Sequence, residues 1–229
     1  MIISHKYKCI FLKTSKTAGT SIEIALSKHC GPEDIITPIS PADEAFRKSL
    51  GFRTAQNFVV PYTQYTLHNW LDAVIFRKRI RFYNHMPARA VRRIIGEKTW
   101  REYYTFCFER NPWDRFISFY YWRCKNEPRP SISAFIDSGA LRIMKRKGFG
   151  IYTIDGRVVV DRVYLYEELE KALEDISSRL GLPENLSLPT AKGGFRLDRK
   201  PGGEILTAED MERIAQEFSE EISLFGYRR

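Results

Sequence analysis

The apolar run Cys9-Ile10-Phe11-Leu12 is followed by small and polar residues from Lys13 to Ser21, and then by Ile22, Ala25 and Leu26 at helical spacing. This is the pattern of a buried strand, a turn and a helix. It recurs at Tyr104-Thr105-Phe106-Cys107-Phe108, whose near-continuous apolar and aromatic character suits a strand buried on both faces of a parallel sheet. Arg110-Asn111-Pro112 ends that strand, and a helix is predicted over Trp113 to Arg123, with Pro112 near its first turn.

Towards the C-terminus, Leu169, Ala172, Leu173, Ile176 and Leu180 form one helical stripe that stops at Gly181 and Pro183. A second stripe, Met211, Ile214, Ala215, Phe218 and Ile222, follows the capping signal Thr207-x-x-Asp210. Between strand and stripes, Asp155-Gly156 flanked by Thr153-Ile154 and Arg157 to Val160 predicts a hairpin. The Pro-containing stretches Pro128 to Pro130 and Pro183 to Pro201 read as loops. The expected fold is α/β, a three-layer P-loop-like arrangement with a central parallel sheet flanked by helices.

No repeat, low-complexity tract or Gly/Ser-rich linker divides the chain, so residues 1–229 are expected to form one domain. With 229 residues, 43% of them hydrophobic, it is long enough to bury a sizeable core. No apolar run approaches the ~20 residues that cross a bilayer, and a strand-like run begins within ten residues of Met1, leaving no room for a secretory signal. The cytoplasm is therefore the expected location. Cys9, Cys30, Cys107 and Cys124 are scattered without a C-x-x-C pair, which predicts neither zinc nor a disulfide framework. The formal charge of +9 favours anionic partners without choosing among nucleic acids, acidic glycans, lipid headgroups and nucleotides.

The turn Lys16-Thr17-Ala18-Gly19-Thr20-Ser21 lies where backbone N–H groups and a helix dipole favour a bound anion. A nucleotide triphosphatase P-loop places the lysine directly after the last glycine, whereas Lys16 precedes Gly19 by three positions. The order resembles instead the 5′-phosphosulfate loop of sulfotransferases that use 3′-phosphoadenosine 5′-phosphosulfate (PAPS), P-K-T-A-G-T-S after a strand. Ser15 stands where that proline would be and removes no ligand. By this resemblance Lys16, Thr17, Ala18, Gly19, Thr20 and Ser21 bind the donor, and Lys16 also neutralises charge on the bridging oxygen as the product PAP leaves.

The second junction, Arg110-Asn111-Pro112-Trp113-Asp114-Arg115-Phe116-Ile117-Ser118-Phe119-Tyr120, resembles the sulfotransferase 3′-phosphate motif R-N-P-W-D-R-x-x-S-x-Y at every specified position. Arg110 and Ser118 inherit the 3′-phosphate; a guanidinium fork and a hydroxyl suit that anion. The bland reading of the rest puts Asp114 and Arg115 on a solvated helix face and the aromatics in the core.

The stretch from Asn84-His85-Met86-Pro87-Ala88 to Arg92 resembles the H-x-P/T-A-x-x-x-R/K segment of glycan-type sulfotransferases, and a small soluble bacterial-type member of that branch is the expectation. His85 is the candidate general base, because an acceptor hydroxyl needs its proton removed at neutral pH; His5, His29 and His68 read as structural. Ala191 to Arg196 loosely resembles the basic glycine-containing loop that closes over the donor, which makes Lys192 and Arg196 candidate ligands. Lys145-Arg146-Lys147 and Arg77-Lys78-Arg79-x-Arg81 read as solvated basic faces or as the lining of a cleft for an acidic acceptor. No metal is expected, since sulfuryl transfer can rely on lysine and backbone donors. The expected partner is a hydroxyl-bearing acceptor, an acidic glycan or glycolipid among the candidates, and not nucleic acid. A small-molecule kinase and a non-enzymatic basic anion-binding module are the competing readings. The oligomeric state and the roles of residues 31–83 and 124–150 are not legible.

Overall fold

A computed structural model describes residues 1–65, 67–76, 79–189 and 205–228 of the protein. Its strands are β1 (Ile2–Ser4), β2 (Cys9–Phe11), β3 (Ile35–Ile36), β4 (Tyr104–Glu109), β5 (Thr153–Ile154), β6 (Arg157–Val158) and β7 (Arg162–Leu165). The helices are α1 (Gly19–Ser27), α2 (Pro41–Ser49), α3 (Leu67–Phe76), α4 (Ala88–Glu102), α5 (Pro112–Arg123), α6 (Ile132–Asp137), α7 (Ala140–Arg146), α8 (Phe149–Tyr152), α9 (Leu169–Leu180), α10 (Ala208–Glu217) and α11 (Ser219–Phe225).

The central sheet runs β3-β1-β2-β4-β7. It is mixed, which corrects the expectation of a parallel sheet: β2, β4 and β7 are parallel, while β1 is antiparallel to both β2 and β3. The cause is connection length. Only residues 5–8 separate β1 from β2, with Lys8 in a left-handed turn, and a parallel pairing needs a crossover of about a dozen residues or more. The turn is held by Asp34, whose carboxylate accepts from the His5 and Gly31 N–H groups and from the Ser4 hydroxyl.

Side chains alternate across this sheet, so each face has its own core. Ile3, Ile10, Leu12 and Cys107 pack with Ala88, Val91 and Trp100 of α4 and with Phe149 and Tyr152 of α8. Ile2, Cys9, Phe11, Phe106 and Phe108 pack with Ile22 and Ala25 of α1 and Ala172, Leu173 and Ile176 of α9. Beside the sheet, α5, α6, α7, α10 and α11 share a third cluster around Phe116, Phe135, Met144 and Phe218. Among the described residues no helix is long and apolar enough to cross a membrane.

Several local expectations match. α9 ends at Gly181 in the left-handed region, Thr207 and Asp210 form a reciprocal capping box, and β5 and β6 pair around Asp155 and Gly156, both at positive φ. The last stripe is two helices rather than one. Phe218 leaves the helical region (φ −105°, ψ 23°) and is fully buried, with the Arg115 guanidinium 5.0 Å from its ring.

Candidate active site

The parallel strands β2, β4 and β7 all point their C-terminal ends at one edge, where α/β sheets bind ligands. After β2 the chain turns through Lys16 (φ 67°) and Ala18 (φ 57°), both left-handed, before α1 begins at Gly19. Such alternation curves successive N–H groups around a concavity suited to an anion, and the first N–H groups of α1 have no intrahelical acceptor. Gly19 is required by closeness: a Cβ there would sit 2.7 Å from Lys13 Cγ and 3.2 Å from the Thr14 carbonyl. The loop is tied down at three points. Thr14 Oγ1 donates to the Phe108 carbonyl, Ser15 N–H donates to the Lys147 carbonyl at 2.8 Å, and Lys13 Nζ pairs with buried Glu23 at 2.9 Å. Lys13 is thereby turned into the core, while Lys16 reaches outward with its ammonium 5.4 Å from the Trp122 ring.

The loop after β4 stands beside this turn. Arg110 Nη1 donates to the Lys16 carbonyl at 3.4 Å, its guanidinium lies 4.4 Å from the Tyr166 ring just past β7, and its Nε is buried without a hydrogen-bond partner. Asn111 caps α5 through Oδ1, which accepts from the Trp113 and Asp114 N–H groups, and Pro112 opens the helix. Ser118 is the seventh residue of α5 and half-buried.

His85 arrives from the other side, in the turn preceding α4, held at φ 59°. Its Nδ1 lies 2.9 Å from the Lys13 carbonyl. A carbonyl only accepts, so Nδ1 carries the proton and Nε2 keeps its lone pair. Burial, then the nearby charge of Lys13, lowers the imidazole from its ordinary value to about 4, against the opposing pull of that hydrogen bond. Of six non-glycine residues at positive φ among those described, Lys16, Ala18 and His85 fall here, and strained backbone of this kind concentrates at functional sites.

The structure thus brings three distant segments together around residues 13–16. The sulfotransferase family model matches residues 1–148, well over half of the chain and the part that carries all three. The chain belongs to the sulfotransferase family. An uncharacterized protein of Archaeoglobus fulgidus is 36% identical over 108 residues, covering 45% of this chain and 88% of that one. No solved structure matches. Family membership supports a sulfuryl-transfer activity in general terms.

Beneath the sulfotransferase loops lies a charged network that corrects the solvated-face reading of Arg115, which is fully buried. Its guanidinium pairs with Glu109 and stands 3.7 Å from Glu221, with both carboxylates equally buried. Glu109 also accepts from the Arg110 N–H at 2.9 Å and from the Tyr152 hydroxyl at 2.8 Å. Gly148 is packed so tightly that a Cβ would lie 2.6 Å from Arg115 Nη1. Because the Lys147 carbonyl holds the Ser15 N–H, the same contact links the buried arginine to the turn that follows β2.

Glu221 in this sulfotransferase network carries a stability prediction. Burial raises its carboxyl from 4.5 to about 7, against the attraction of Arg115. The folded state therefore binds that proton more tightly than the unfolded chain. Its contribution is complete below about pH 4.5 and is lost as pH rises through 7, a change of about 3 kcal/mol. Denaturant midpoints measured from pH 4.5 to 8.5 should show this slope, and Glu221→Gln should flatten it; an unchanged slope refutes the assignment.

Lys192 and Arg196 lie outside the described residues, as do Arg77 and Lys78 of the first basic run. Lys145 is engaged by Glu220 at 2.7 Å and by the Glu217 carbonyl, and so braces the start of α11. Thr14, Trp122 and Tyr166 were missed at the level of sequence. Thr14 sits between two lysines as an ordinary loop residue, and Trp122 and Tyr166 sit among other aromatics. The short apolar run Val163-Tyr164-Leu165 was the available sign of β7, which delivers Tyr166.

Proposed function

We propose that the protein transfers a sulfuryl group from PAPS to a hydroxyl of a saccharide or glycan-containing acceptor, as a member of the glycan branch of the family. The observation that carries this reading is the convergence on residues 13–16: His85 on the Lys13 carbonyl, Arg110 on the Lys16 carbonyl, and Thr14 on the end of β4. A donor with a 5′-phosphosulfate and a separate 3′-phosphate asks for two neighbouring anion sites. The Lys16–Ser21 turn suits the first. Arg110, with Ser118 on the following helix, suits the second, and the orphaned Arg110 Nε is a donor that a phosphate oxygen would satisfy.

In this mechanism His85 Nε2 takes the proton of the acceptor hydroxyl as that oxygen bonds to sulfur. Lys16 and the N–H groups of the turn neutralise charge growing on the bridging oxygen as the S–O bond to PAP breaks. Interactions that strengthen in the transition state are the ones that accelerate transfer. Lys192 and Arg196 complete the donor site in this reading. The sulfuryl group carries less charge than a phosphoryl group, so no metal is invoked.

PAP at about 100 times its Kd should stabilise the protein by about 2.7 kcal/mol and raise Tm by roughly 5–10 °C. Arg110→Ala should abolish most of that shift while leaving the unliganded Tm within a few degrees. Labelled sulfate should move from PAPS to a hydroxyl acceptor in a saccharide screen. A shift with ATP and Mg²⁺ but none with PAP would overturn the reading in favour of a kinase.

A further inference from the structure

Helix α3 presents an apolar face that the described residues leave uncovered. Leu67 is 80% exposed, Leu71 53%, Val74 70% and Ile75 68%, at positions i, i+4, i+7 and i+8 of a ten-residue helix. Scattered exposed leucines are ordinary, whereas a contiguous stripe marks an interaction surface. Its border is aromatic. Trp70 stacks on Tyr62 at 5.6 Å and meets Tyr65 edge-on at 5.2 Å, and both Trp70 and Tyr62 keep part of their surface in solvent. Arg79 lies over Tyr62 at 4.7 Å, and the chain leaving the helix reads Arg77-Lys78-Arg79-Ile80-Arg81, with Arg79 and Arg81 exposed.

From these observations we infer that α3, with Arg79 and Arg81 after it, forms a docking surface for an anionic lipid bilayer. An apolar helical stripe, amphipathic Trp and Tyr at its edge and arginines beside it are the parts an interfacial helix uses: the apolar face enters the acyl boundary and the cations meet headgroup phosphates. Charge complementarity favours this occupant over a second copy, which would bring the same basic run, on a chain of net charge +9, against itself. The surface is coupled to the rest of the fold. Val60 N–H donates to the Ile80 carbonyl and Phe82 N–H to the Phe58 carbonyl, and the chain reaches His85 three residues later. The segment that leaves α3 thus runs through a paired stretch straight to His85.

The inference does not rest on sulfuryl transfer and is tested without donor or acceptor. The whole chain is sedimented with vesicles of phosphatidylcholine alone and of phosphatidylcholine with phosphatidylserine. Binding to the anionic vesicles should be at least about tenfold tighter than to the neutral ones and should weaken with salt. Leu71→Glu with Val74→Glu should lower it about tenfold or more at unchanged Tm, because both side chains are exposed. Arg79→Glu with Arg81→Glu should remove the preference for phosphatidylserine, and Leu224→Glu, an exposed leucine on α11, should change nothing. Failure to sediment with anionic vesicles overturns the proposal, as does binding that ignores the α3 substitutions. A concentration-dependent dimer in ultracentrifugation that those substitutions dissolve overturns it in favour of a second copy.

Discussion

Exchange of His85 for asparagine should lower kcat for sulfuryl transfer by about 10²–10⁴-fold, the usual contribution of a positioned general base. Asparagine is the informative replacement because it tolerates the left-handed backbone found there (φ 59°), and its amide N–H can donate to the Lys13 carbonyl as Nδ1 does. Fold and PAP affinity should survive, so the loss falls on the chemical step. The pH profile adds a readout that a structural histidine would not move. With the free imidazole at about 4, kcat/KM should hold its value down through mildly acidic pH and fall only near pH 4. Donor anions beside the imidazole favour its charged form, so the acid limb of kcat should lie at higher pH than that of kcat/KM. Near-normal turnover in the asparagine variant would remove His85 from the mechanism.

The largest stability effect is expected from Arg115→Met. Methionine fills much of the same volume but leaves Glu109 and Glu221 buried without their cation, and breaking such a pair costs about 3–5 kcal/mol. For a chain of this size that is a fall in Tm of roughly 6–20 °C. Glu109→Gln alone should also destabilise, whereas adding it to Arg115→Met should cost less than the sum, because the second change removes a charge the first had stranded. Strict additivity, or a Tm within a degree of the parent, would show that the pair contributes nothing. The consequence reaches the site. Glu109 holds the Arg110 N–H, and Gly148, against Arg115, adjoins the residue that holds Ser15, so a destabilised network should also weaken PAP binding.

Much of the candidate site was legible in the sequence because turns at strand–helix junctions are local objects. Lys16 to Ser21 and Arg110 with Pro112 each occupy a strand–turn–helix junction, and the strand run, the glycine and the helix start are written in consecutive residues. The cap at Thr207, the stop at Gly181 and the Asp155-Gly156 turn follow from short-range sterics and hydrogen bonding in the same way. Arg115 was misread because helical spacing says which residues share a face but not what lies opposite. Glu109 precedes it by six positions across the β4–α5 turn and Glu221 follows by more than a hundred on α11, and only the folded chain sets both carboxylates against its guanidinium.

The sequence by itself determined the chemistry available: two turns whose residues suit an anion, a histidine in a family-like context, and the strand and helix that flank each turn. Tertiary structure alone decided which of these groups act together. It turned Lys13 inward to Glu23 and left Lys16 toward Trp122, set Tyr166 under Arg110, and placed His85 on the Lys13 carbonyl. Among the described residues it also left the apolar face of α3 uncovered. The physical reason is the same in each case. A residue's type and its near neighbours fix what it can donate, accept or bury, whereas its partner is set by contacts between different elements of the fold.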